Sequence, residues 1–101
     1  MKISLDTKIT DFKGKVMLQG EDALTMQDVL LTSVMNPLET DKALSGQKKY
    51  ELYNIGIEIG KGKIVDFTAE EVVMLKNRIA QTHVPLIIGQ VWNLLDPKPK
   101  A

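Results

Sequence analysis

The sequence predicts a mainly α fold of α+β type: about four short helices, near 26–36, 46–59, 69–82 and 85–95, behind a short N-terminal β-hairpin within residues 3–20. Three observations carry this. Thr68-Ala69-Glu70-Glu71 reads as a capping box, in which the Thr68 hydroxyl and the Glu71 carboxylate each take an orphan amide of a first helical turn. Pro85 is pre-set for the first position of a helix, and at 3.6 residues per turn Ile87, Ile88, Val91, Trp92, Leu94 and Leu95 then share one wide apolar face. Near the N-terminus, Lys8-Ile9-Thr10-Asp11 and Lys15-Val16-Met17-Leu18 flank Phe12-Lys13-Gly14, where Gly14 supplies the positive φ of a tight turn.

In chain order, Gln19-Gly20-Glu21-Asp22 reads as a polar loop. Thr25 caps the first helix, with Asp28 at the positive end of its dipole, and Met26, Val29, Leu30, Leu31 and Val34 form its apolar side. Asn36-Pro37 stops it, because the residue before proline is pushed out of the α region. Leu38 to Leu44 is a charged connector.

Residues 53–67 fit two templates. Tyr53 to Ile59 alternates like a strand, and with Ile64-Val65-Asp66-Phe67 it makes a second hairpin. The helical template instead puts Gln47, Glu51, Asn54 and Glu58 on one polar stripe and Tyr50, Leu52, Tyr53, Ile55, Ile57 and Ile59 on the remainder. It also accounts for 45–52, with Ser45 as cap and the glycines at 60 and 62 as a helix end followed by a turn, so helix is the reading taken. In helix 69–82, Val72, Leu75 and Ile79 form the apolar side beside Ala69, Val73 and Ala80, and Lys76 projects from its middle with a carbon stem suited to cover apolar surface. Residues 1–96 are expected to form one domain and 97–101 a flexible tail.

Composition excludes several function classes. Thirteen basic and thirteen acidic residues give zero formal charge, whereas a protein that lives by holding phosphates shows a basic excess. The absence of cysteine excludes disulfides, iron–sulfur clusters and thiol catalysis. Neither a signal-peptide core nor an apolar run of ~18–20 residues is present, so a soluble cytoplasmic protein without a membrane partner is expected.

Each motif that could carry chemistry also has a simpler role. Gly60-Lys61-Gly62-Lys63 has the wrong spacing for a phosphate loop, and no Ser or Thr follows until Thr68. Helices 69–82 and 85–95 are joined by a turn short enough for a helix–turn–helix, but 85–95 has no Lys or Arg to read bases, only Gln90 and Asn93. Lys48, Lys49, Lys61, Lys63 and Arg78 form a basic patch only if they meet in space. His83, the single histidine, sits at a helix end, where positive charge is welcome, and it lacks partners for a zinc site or a hydrolytic triad. The reading is therefore no enzyme, no catalytic residue, no metal and no cofactor.

Ile9-Thr10-Asp11 with Gly14, Leu24-Thr25, Pro37-Leu38, Leu44-Ser45-Gly46, Tyr50-Glu51-Leu52, Val65 to Glu71 and Pro85 to Trp92 together resemble a family of short open reading frames from tailed bacteriophages and prophages. The resemblance implies a phage or prophage origin, with the bacterial host cytoplasm or the virion as setting, and it implies no catalytic residue. The expected function is a non-enzymatic protein–protein interaction module that binds a host factor, serves phage assembly or pairs with itself as a homodimer. The alternative is a small nucleic-acid-binding transcriptional or counter-defence regulator. Candidate partner-binding residues are Ile87, Gly89 and Trp92 on the last helix, with Lys61, Lys63 and Arg78 as the cationic group.

Overall fold

The computed structural model describes residues 2–95. Helices α1 (Met26–Met35), α2 (Gly46–Lys61), α3 (Ala69–Thr82) and α4 (Pro85–Leu95) are joined by short strands β1 (Lys2–Ser4), β2 (Leu18–Gln19), β3 (Asp22–Ala23) and β4 (Ile64–Asp66). The class is mainly α with a short antiparallel N-terminal hairpin, as the sequence predicts. The tail expected at 97–101 lies outside the described residues.

Helices α1, α2 and α3 each begin where a side chain can take their free amides. Asp28 N–H donates to Thr25 Oγ1 while Thr25 N–H donates to Asp28 Oδ2 at 3.0 Å, which makes a full capping box at the start of α1. Lys48 N–H donates to Ser45 Oγ at 3.2 Å to open α2. The capping box of α3 closes through Glu71 N–H to Thr68 Oγ1 at 3.1 Å and Thr68 N–H to Glu71 Oε1 at 2.8 Å. Helix α2 continues through Gly56 and Gly60 to Lys61, two residues past the expected end. Leu52, Ile55 and Ile59, three and four residues apart, are buried along one line of it, and that packing outweighs the ~1 kcal/mol that each interior glycine costs.

Three features differ from the sequence reading, all of them short or non-local. The hairpin arms meet through Met17 N–H to Ile9 O and Asp11 N–H to Lys15 O, both 2.8 Å, with Gly14 at φ +85°. The chain then turns again at Gly20 (φ +67°), so that β2 pairs with β3 where a loop was expected. Strand β1 leaves the hairpin and pairs antiparallel with β4, Ile3 opposite Val65, so residues 64–66 are a strand and not merely a turn. The charged connector carries a 3-10 helix, Glu39–Ala43.

Helix α1 is central: α2 and α3 both pack on it, and α4 packs on α3. The core joins Ile3, Leu5 and Ile9 of the N-terminal segment to Leu30 of α1, Ile59 of α2, Leu75 and Ile79 of α3, and Val91 and Leu95 of α4. Gln90 fastens the hairpin to α4: its Oε1 accepts from Thr10 N–H at 2.9 Å and its Nε2 donates to Thr10 O, as a neighbouring strand would. Gln90→Ala strands one backbone donor and one acceptor in a half-buried place. The expected loss is about 1–3 kcal/mol, read as a lower denaturant midpoint with unchanged m-value; a loss within error would show that water replaces the amide without cost.

Candidate functional site

Arg78 does not belong to a basic patch. It is buried, 5% exposed, where the sequence places it with Lys61 and Lys63 in a cationic group. Its Nε donates to Ser33 O at 2.8 Å and its Nη2 to Asn36 O at 3.0 Å. These are carbonyls that the end of α1 leaves without helical partners, and a cation suits that end of the dipole. The other side of the guanidinium grips Asp41 in a fork, Nη1 to Oδ1 at 2.7 Å and Nη2 to Oδ2 at 3.2 Å. Asp41 Oδ2 also accepts from Leu38 N–H at 2.8 Å, so one ion pair ties α3, the end of α1 and the connector together. The Arg78 hydrogen bonds, followed by that of Leu38, hold the Asp41 carboxyl below the usual carboxylate range.

The two lysines lie elsewhere. Gln27, in the first turn of α1, donates to Ile59 O at the end of α2 and reaches Gly62 O, which places the Lys61–Lys63 turn by the start of α1. Arg78 sits at the other end of α1, about 15 Å away by helix rise. No common cationic surface forms from the three.

On α4, Trp92 is half-buried and committed to α3: its Nε1 donates to Lys76 O at 3.1 Å, and Lys76 Nζ stands 4.6 Å over the ring. Lys76 thus lays its stem along apolar surface, as its position in the stripe suggests. Ile87 is half-buried against the core, while Gly89 is exposed with nothing near the position of a Cβ. His83 caps α3 through its backbone N–H, which donates to Ile79 O at 3.0 Å, and its ring Nδ1 lies 2.8 Å from Thr82 Oγ1. Burial pushes its pKa below the usual imidazole value.

What the structure adds is a cleft of about 770 Å³ between α2 and α3, a size suited to several side chains. Leu44, Leu52, Ile55, Val73 and Met74 are among its apolar lining, and Val73 is 59% exposed there. Glu51, Glu58, Glu70 and Glu71 stand along it, with Asp41 and Arg78 at one end. Five carboxylates face two cations, Lys48 and Arg78, and both cations have carboxylate partners within the cleft, Lys48 reaching Glu51 at 3.4 Å. The cleft is therefore acidic on a molecule whose formal charge is zero. Sequence reasoning identified Glu51, Asn54 and Glu58 as one stripe of α2 but not what they face. The opposing Glu70, Val73 and Asn77 belong to α3, and nothing local in either helix signals the pairing.

A second apolar groove, about 600 Å³, lies on the other flank of α2, where Met35, Tyr53 and Ile57 are exposed and Tyr50 stacks on Tyr53 with ring centroids 6.2 Å apart. Among the described residues no three His, Asp or Glu side chains are grouped to hold a metal ion, and no helix is long and apolar enough to cross a membrane. Comparison with protein-family models, with curated proteins and with solved structures gives no match to this chain.

Proposed function

We propose that the protein is a non-enzymatic interaction module of phage or prophage origin that docks a protein partner in the cleft between α2 and α3. The observation that carries the reading is the manner in which α2 is held. It is buried along the single line of Leu52, Ile55 and Ile59, the last two within the main core, and apolar side chains stand open on both flanks. Isolated exposed apolar residues need no explanation, but a cleft with an apolar lining and a charged rim has the anatomy of a docking site. The phage origin rests on the sequence resemblance alone, and it makes a host protein, a phage assembly protein or a second copy the partner classes to test. The nucleic-acid alternative loses its arginine to the interior, which leaves only the lysine turn.

The test compares capture from bacterial lysate by the wild type and by Glu58→Lys/Val73→Arg, together with light scattering for mass. Both positions are exposed, so stability should stay within about 0.5 kcal/mol per substitution. The wild type is expected to retain a protein partner, or to self-associate, and the variant to lose it. A wild type that stays monomeric and retains nothing at micromolar concentration overturns the reading, as does retention that ignores the cleft substitutions.

A further inference from the structure

We propose that the occupant of the cleft is the N-terminal hairpin tip of a second copy of this chain, with Phe12 seated on the apolar lining and Lys13 and Lys15 set against Glu58 and Glu70. The inference rests on the reading of the cleft as a protein-docking site and names its partner.

The tip has the form of a prepared anchor. Phe12 is 88% exposed, the highest value among the large hydrophobic side chains of the described residues. Its turn is fixed from within: Asp11 Oδ1 accepts from Lys13 N–H at 2.8 Å and from Lys15 N–H at 3.0 Å, and Gly14 N–H donates to Asp11 O at 3.0 Å. The exposed ring adds nothing to the monomer's core, and because its turn is already fixed it loses little further freedom on binding. Aromatic anchors in pockets are where binding energy concentrates.

Charge selects the seat. The ring is followed by Lys13 and, past Gly14, Lys15, so the tip is apolar and cationic, while the cleft is apolar and anionic. Zero net charge leaves no long-range repulsion between copies. The tip does not fill the cleft of its own chain. None of its residues lines that cleft, and Thr10, at the neck of the tip, is held on α4 by Gln90. The contact therefore joins two different surfaces, and it closes either as a two-fold dimer in which each copy seats its tip in the other, or head to tail as a ring or chain.

The test uses two full-length variants. One carries Phe12→Ser, Lys13→Glu and Lys15→Glu and keeps the cleft; the other carries Glu58→Lys, Glu70→Lys and Val73→Lys and keeps the tip. All six positions are exposed, and far-UV circular dichroism with a melting curve checks that each variant folds. Sedimentation of the wild type from micromolar to millimolar protein is expected to show mass rising with concentration, and each variant to self-associate about thirtyfold more weakly or not at all. An equimolar mixture of the two variants regains a one-to-one complex, because each supplies the surface that the other lacks.

A monomeric wild type overturns the inference, as does self-association that survives in either variant, or a mixture that fails to complement. A monomeric wild type that nonetheless retains a lysate protein through the cleft sinks this inference alone and leaves the docking reading standing.

Discussion

Arg78→Ala is expected to destabilise the protein by about 3–5 kcal/mol, the range for removing one partner of a buried ion pair. The substitution leaves the Ser33 and Asn36 carbonyls without their donor and the partly buried Asp41 carboxylate with the Leu38 amide but no cation. For a domain of this size each kcal/mol moves the melting point by about 4–8 °C, so a fall of at least about 12 °C should appear in a thermal scan. Arg78→Lys should recover only part of this, since a single ammonium cannot fork onto Asp41 and also reach the end of α1. A fall of a few degrees for Arg78→Ala would return the side chain to the class of surface cations.

The same ion pair sets a pH dependence. Because the Asp41 carboxyl is held below its ordinary range, the folded state takes up that proton less readily than the unfolded state. The stabilisation is complete above the ordinary carboxylate range and is lost as pH falls through the depressed folded value. The difference in stability between wild type and Asp41→Asn should therefore narrow on acidification. A difference that stays constant with pH means that the carboxylate charge contributes nothing there. Asp6 is also held low, chiefly by the Ser4 hydroxyl, which donates to it at 2.6 Å; the comparison with Asp41→Asn cancels its share.

What the sequence could reveal was set by distance along the chain. Thr25, Ser45 and Thr68 announce their helices because a cap acts within three residues, and the buried line of α2 repeats within one turn. The pairing of β1 with β4 had no such signal: three residues are too few to show a period, and their partners lie at the opposite side of two helices. Arg78 does carry a local signal. It follows Leu75 by three positions and precedes Ile79 by one, which puts a guanidinium on the buried face of α3, and a cation on a buried face calls for a partner. The cleft was half legible, since the acidic stripe of α2 was plain and the helix opposite it was not. The broad apolar face of α4 divides for a similar reason: Val91 and Leu95 are fully buried, while Ile87, Ile88, Trp92 and Leu94 are covered only in part.

Phe67→Ala should cost about 3–5 kcal/mol, as full burial of a phenylalanine implies, and it probes the element that the sequence resolved least. Phe67 is 2% exposed at the end of β4, and Val65 on the same side of the strand is buried, while Ile64 between them and the turn faces water. Period-two alternation makes these three positions a register gauge. Ile64→Ala should lie within about 0.5 kcal/mol of wild type, Val65→Ala should be clearly destabilising, and Phe67→Leu, which keeps most of the volume, should cost under about 1.5 kcal/mol. Equilibrium unfolding followed by Trp92 fluorescence reads all four, because the indole is bonded to α3 and loses that environment when the helix leaves the core. A one-residue slip of β4 against β1 would exchange the burial of alternate positions, so equal costs for Ile64→Ala and Phe67→Ala would refute the pairing of Ile3 with Val65. The consequence reaches the cleft. Thr68, the cap of α3, follows Phe67 directly, and Glu70 and Glu71 of the first turn stand on the rim. A Phe67→Ala protein that still folds should therefore have a looser acidic edge and dock its partner more weakly, although Phe67 does not line the cleft.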